Sequence, residues 1–130
     1  MENKFNEATP LRPQGDRLIS GELLEIDLDK YIQQIKLEAT WQEGSHNSIT
    51  LSKSEHLRIV LIGLHEKAVL KPHSANGFIS VQVIEGEIDF IAGDSRYPLK
   101  EKQMLTLHPK IQHSVEAKRE SFFLLTLAMA

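Results

Sequence analysis

The 130 residues carry 15 Lys plus Arg against 18 Asp plus Glu, a net charge of −3, and 41% of them are hydrophobic. That is the length of one ordinary domain with an apolar core, which excludes wholesale disorder. The mild acidity argues against a nucleic-acid binder, whose basic surface displaces counterions from phosphates. There is no cysteine, so disulfide scaffolds, Cys-ligated zinc, iron–sulfur clusters and thiol nucleophiles are excluded; six histidines remain as soft ligands and near-neutral acid–base groups.

Residues 1–22 read as an N-terminal arm, with two prolines, several charges and no periodicity. No stretch there is apolar enough for the core of a signal peptide. No apolar run anywhere approaches the ~20 residues of a membrane span, so a cytoplasmic protein without membrane contact is expected. Residues 23–130 form the single expected domain. Leu28, Tyr31, Ile32 and Ile35 recur at helical spacing behind Asp27, an N-cap residue type, with Lys36 near the other end. The pattern predicts one short amphipathic helix over about 27–37, packed on the rest of the domain, with Trp41 anchoring its end.

From Ser45 onward the chain reads as strands. The candidate runs are 47–52, 57–65, 78–84, 87–92, 104–108, 113–116 and 121–127, separated by turn signals such as Glu85-Gly86, Gly93-Asp94 and Pro109-Lys110. Short strands punctuated in this way predict an all-β sandwich or barrel. Two runs, Ile59–Leu64 and Phe122–Leu125, are apolar on both faces. A strand of a small barrel shows one face to solvent, so these runs need a second cover, which predicts a homodimer; the alternative is that the arm and helix supply it.

Two stretches, KPHSANGFISVQVIEGE (71–87) and LKEKQMLTLHPKIQHSVEA (99–117), resemble the paired motifs of the cupin family of jelly-roll β-barrels. The resemblance covers roughly 57–127 and implies a single cupin-like jelly roll. In that family two histidines and a glutamate of the first motif, with a histidine of the second, hold a divalent metal in the barrel mouth. Aligned on Gly86, the first of these histidines is His73, the second becomes Ala75, and the glutamate becomes Ile79. In the second motif the histidine is His113. Family glycines fall on Lys67, Lys102 and Lys110. Two of four ligands remain, so no cofactor is firmly expected. A divalent ion (Zn, Fe, Mn or Ni) would rest on His73 and His113, with His108 as a conditional third if the chain around Pro109–Gln112 is a hairpin. Against this, Leu105 and Leu107 look core-facing and turn His108 outward.

Ile79, Val81 and Val83 alternate along one strand and share a face. With Val115 they are expected to line an apolar pocket whose polar groups are His73 and His113. Such a pocket suits a small-molecule ligand, with neutral imidazoles offering one donor and one acceptor each. The leading expectation is therefore a cupin-like small-molecule binder. The alternative is a metal-dependent enzyme, an oxygenase or isomerase acting on a small organic or carbohydrate substrate. A third reading, an interaction module, requires a filled barrel. No catalytic residue stands out.

Overall fold

The computed structural model describes residues 19–129, so residues 1–18 of the arm expected over 1–22 lie outside the described residues. Ile19 is buried and its carbonyl accepts from the Lys53 amide at 2.7 Å, which ties the segment before the helix to the body. Helix α1 (Leu28–Leu37) follows, with Asp27 as N-cap accepting from the Lys30 amide and with Ile32 and Ile35 on its buried side. The expected helix thus forms where its periodicity and cap place it. A second turn of helix, α2 (Ala39–Glu43), was not expected; it carries the buried Trp41.

Nine strands complete the chain: β1 (His46–Lys53), β2 (Leu57–Leu64), β3 (Val69–His73), β4 (Gly77–Glu85), β5 (Glu87–Ala92), β6 (Ser95–Lys100), β7 (Met104–Leu107), β8 (His113–Ala117) and β9 (Ser121–Met129). They form two antiparallel sheets, ordered β1-β2-β9-β4-β7 and β3-β8-β5-β6. The all-β expectation holds, and the seven expected strands are present. The two unexpected ones, β3 and β6, each contain a proline, Pro72 and Pro98. Both are edge strands of the smaller sheet, where a missing N–H need not interrupt a ladder.

Alternation along the strands builds two apolar layers. Between the sheets, Leu64, Ile79, Val81, Val83 and Phe123 meet Ile88, Phe90, Leu99, Val115 and Ala117. On the outer side of the larger sheet, Ile49, Leu51, Leu61 and Phe122 meet Ile32, Ile35 and Trp41. The two-faced runs 59–64 and 122–125 are explained in part by this helical cover. Gly63 lies beneath it: a Cβ there would stand 2.6 Å from the Phe122 ring and 3.1 Å from the Trp41 ring. The cover is partial. Farther along the same face, in register with Ala128, Leu57 and Phe78 are exposed, as is Met104 on β7.

The turns support the alignment of the two motifs. Lys67, Lys102 and Lys110, the positions where the resemblance places glycine, have φ of 69°, 71° and 67°. They are the only non-glycine residues with positive φ among the described ones. The backbone keeps the left-handed conformation that favours glycine while carrying lysine side chains. Gly86 has φ of 91°, and a Cβ there would meet Ser121 and the Glu120 carbonyl. Ser121, fully buried, accepts from the Glu87 amide at 2.9 Å and fastens this turn.

Among the described residues, no helix is long and apolar enough to cross a membrane.

Candidate functional site

His73 ends β3 and His113 begins β8, and the two are register partners across the antiparallel pair. Their rings lie edge to face with centroids 4.3 Å apart. Each ring is oriented by its own strand. His73 Nδ1 bonds the Lys71 carbonyl at 3.0 Å, and His113 Nδ1 bonds the Ile111 carbonyl at 2.9 Å. A carbonyl only accepts, so Nδ1 carries the proton in both neutral rings and Nε2 is the free acceptor. His113 also stacks on Phe90, with centroids 5.3 Å apart and an interplanar angle of 18°. Burial lowers its pKa, the Ile111 carbonyl opposes that shift, and the neighbouring His73 lowers it further. His73 is exposed, whereas His113 is only 4% exposed, so one imidazole stands at the rim and the other beneath it.

The connections after β3 and β7 lie together at this end: the Lys110 amide donates to the Ala75 carbonyl at 2.8 Å. The same end of the larger sheet is crossed by the register row Lys53–Arg58–Leu127–Ile79–Leu107. Register partners share a face, and Leu127, Ile79 and Leu107 belong to the inter-sheet core, so the whole row faces inward. Leu70, Ala75, Leu107, Leu125 and Leu127 remain partly exposed although they pack on that core, which marks an open mouth. Ile79, Val81, Val83 and Val115 are almost fully buried and form the packed interior behind it.

His108 is not brought to this pair. It follows the last residue of β7, and its ring meets Phe78, on the outer face of the larger sheet, at 4.9 Å. The condition for a three-histidine site is therefore not met. Among the described residues, no three His, Asp or Glu side chains are grouped so as to hold a metal ion. The remaining histidines are placed elsewhere. His65 stacks on Trp41 at 3.7 Å and its Nε2 donates to the Trp41 carbonyl at 2.7 Å, part of the helical cover. His46 and His56 are exposed.

Two features escaped the sequence reading. A shallow recess of about 280 Å³ lies beside the pair, bounded by Pro72, Ile91, Ile111 and Ser114. Ile91 and Ser114 alternate with the inward Phe90 and Val115, so the recess sits against the outer face of the smaller sheet. The second feature is Arg58, partly buried on the inward face of β2. Its Nε is buried and has no hydrogen-bond partner. Its parity with Ile62 and Leu64 was the available signal.

No protein-family model and no curated protein sequence matches the chain. Solved structures do. An RmlC-like cupin protein from Desulfovibrio desulfuricans is 26% identical with a TM-score of 0.61, over 84% of this chain and 94% of its own. A conserved protein of unknown function from Streptococcus pyogenes is 20% identical with a TM-score of 0.68, over 86% and 92%. A salicylate 1,2-dioxygenase from Pseudaminobacter salicylatoxidans is 15% identical with a TM-score of 0.61, over 65% of this chain and 26% of its own. One architecture thus carries both an enzyme and a protein without assigned activity, so the likeness fixes the fold and not the chemistry.

Proposed function

We propose that this chain, which has the cupin fold, binds a small organic molecule at the barrel mouth, with His73 and His113 as its orienting polar groups. The observation that carries this reading is the pair itself. Two imidazoles 4.3 Å apart, each fixed by a backbone carbonyl, present unclaimed Nε2 acceptors beside apolar side chains that remain open to solvent. A mostly apolar concavity with a few convergent polar groups is the usual design of a ligand site.

A resident divalent metal fits these residues poorly. The position aligned with a carboxylate ligand is Ile79, 3% exposed in the core, and His108 is occupied with Phe78. Two neutral imidazoles supply no negative charge to offset an ion and leave most of its coordination shell to water. Untagged protein titrated with iron, manganese, nickel and zinc tests the metal-dependent alternative. Stoichiometric metal that is lost in the His73→Ala, His113→Ala double variant would overturn the binding reading in favour of that alternative.

The homodimer is proposed through the outer face of the larger sheet that the helices leave open, where Phe78 is 52% and Met104 53% exposed. Exposed apolar residues on one sheet face favour association with a second copy. Sedimentation equilibrium at micromolar concentration is expected to give the mass of two chains; the mass of one would remove the proposal.

A further inference from the structure

Arg58 is the one cationic side chain on the inward face of β2, in the same ladder row as Leu127, Ile79 and Leu107. A guanidinium stays charged in a protein and has five N–H donors with a fixed planar geometry. Here the Nε donor is withdrawn from solvent without an acceptor, and among the described residues no hydrogen bond or ion pair claims the guanidinium. The acids on the strands of the facing sheet cannot serve it. Asp89 and Glu116 alternate with the inward Phe90 and Val115 and so face outward, where Arg96 reaches them at 3.1 and 3.2 Å and Lys118 reaches Asp89 at 3.5 Å. Among the described residues, the mouth thus holds the Arg58 charge beside its register partner Lys53, two imidazoles and an apolar wall, with the acids of the facing sheet turned away.

Resting on the small-molecule reading, we propose that the ligand is a small organic carboxylate. Its charge is met by Arg58, its apolar part lies on Leu107, Leu125 and Leu127, and its other polar atoms face His73 and His113. A carboxylate matches the guanidinium fork with two parallel charge-assisted hydrogen bonds, whereas an amide offers the fork a single oxygen. The buried Nε–H then gains the acceptor that the chain withholds.

The test is side-chain ¹⁵N–¹H NMR of the full chain, following Arg58 Nε–Hε and the His113 ring during titration with shape-matched pairs: acetate and acetamide, succinate and succinamide, benzoate and benzamide. At least one carboxylate is expected to move both signals saturably and to bind about tenfold or more tightly than its amide, the size expected of a charge-assisted hydrogen bond. Arg58→Gln is expected to remove that preference, and Arg58→Lys to keep part of it. Carboxylates that leave Arg58 unmoved, amides that bind equally well, or unchanged carboxylate affinity in Arg58→Gln would each overturn the proposal. Should Arg58→Gln fail to fold, the carboxylate–amide comparison on the unaltered protein and on Arg58→Lys decides. Amides that shift His113 without any carboxylate preference would refute the charge assignment and leave the small-molecule site standing. A mouth that responds to neither kind of probe would refute both.

Discussion

Lys67 and Lys102 each occupy the third position of a hydrogen-bonded β-turn. The Ala68 amide donates to the His65 carbonyl at 3.0 Å, and the Gln103 amide donates to the Lys100 carbonyl at 2.9 Å. Positive φ at that position favours glycine. Replacing each lysine by glycine and, separately, by alanine isolates the Cβ, because both changes remove the same exposed charge. A Cβ in the left-handed region costs about 1–2 kcal/mol. Glycine returns about 0.4–1 kcal/mol of that through the freer unfolded chain. The glycine variants are therefore expected to be about 0.5–1 kcal/mol more stable than the alanine variants. Lys100, exposed in the extended edge strand β6, supplies the opposite case: there glycine is expected to be about 0.5–1 kcal/mol less stable than alanine. Urea unfolding followed by the fluorescence of Trp41, the only tryptophan and a buried one, reads all six variants. Alanine equal to or better than glycine at 67 and 102 would refute both the turn assignment and the motif alignment that rests on it.

Three further outcomes rest on individual contacts. Gly63→Ala forces a methyl group against the Phe122 and Trp41 rings and is expected to destabilise by about 1–3 kcal/mol in urea, with the Trp41 emission altered in the folded state. Ser121→Ala leaves the Glu87 amide without its 2.9 Å acceptor and is expected to cost about 1–3 kcal/mol; a loss below a few tenths in the same assay would contradict the role given to this hydroxyl. His113 has a folded pKa below its ordinary value near 6.5, so the unfolded chain binds the extra proton first on acidification. Its contribution to stability is therefore complete above about pH 6.5, falls as pH drops from there to the folded pKa, and is level below it. In His113→Asn the decline in unfolding free energy between pH 7 and the onset of carboxylate titration is expected to flatten; an unchanged slope would show that His113 is not its source.

What the sequence made legible was local. The helix over 28–37 was readable because four apolar residues, a cap and a terminal lysine agree within eleven positions. Five-residue α2 is too short to show a period. The strands β3 and β6 were hidden by Pro72 and Pro98, which argue against a strand unless it lies at a sheet edge, and edge position is a property of the assembled sheet. The histidine pair was legible through the resemblance to the cupin motifs and not through spacing, because forty residues separate positions that become partners only when β3 and β8 align. Arg58 stood in view inside the run LRIVLIGL. An apolar run with both faces buried conceals parity, and the helical layer over Ile59 and Leu61 is what assigns Arg58 to the other side.

That assignment gives the departures from the cupin motifs a common electrostatic sense. With only two imidazoles in place, a divalent cation in this mouth would draw on an anionic ligand, and Ile79 supplies none. Placing a metal in the same mouth as Arg58 and its register partner Lys53 would add positive charge to positive charge, and like charges repel. The isoleucine at the position that the resemblance aligns with a carboxylate and the arginine, both in one register row with only Leu127 between them, therefore act in the same direction. Together they disfavour a cation and favour an anion. If Arg58 were exchanged for a neutral residue and Ile79 for glutamate, the balance of charge in that row would reverse. The Arg58→Gln, Ile79→Glu double variant is accordingly expected to bind a transition metal through His73, His113 and the new carboxylate more tightly than either single variant. Isothermal titration with zinc checks it, and equal zinc affinity in the double variant and in Ile79→Glu alone would show that Arg58 does not set the sign of this site.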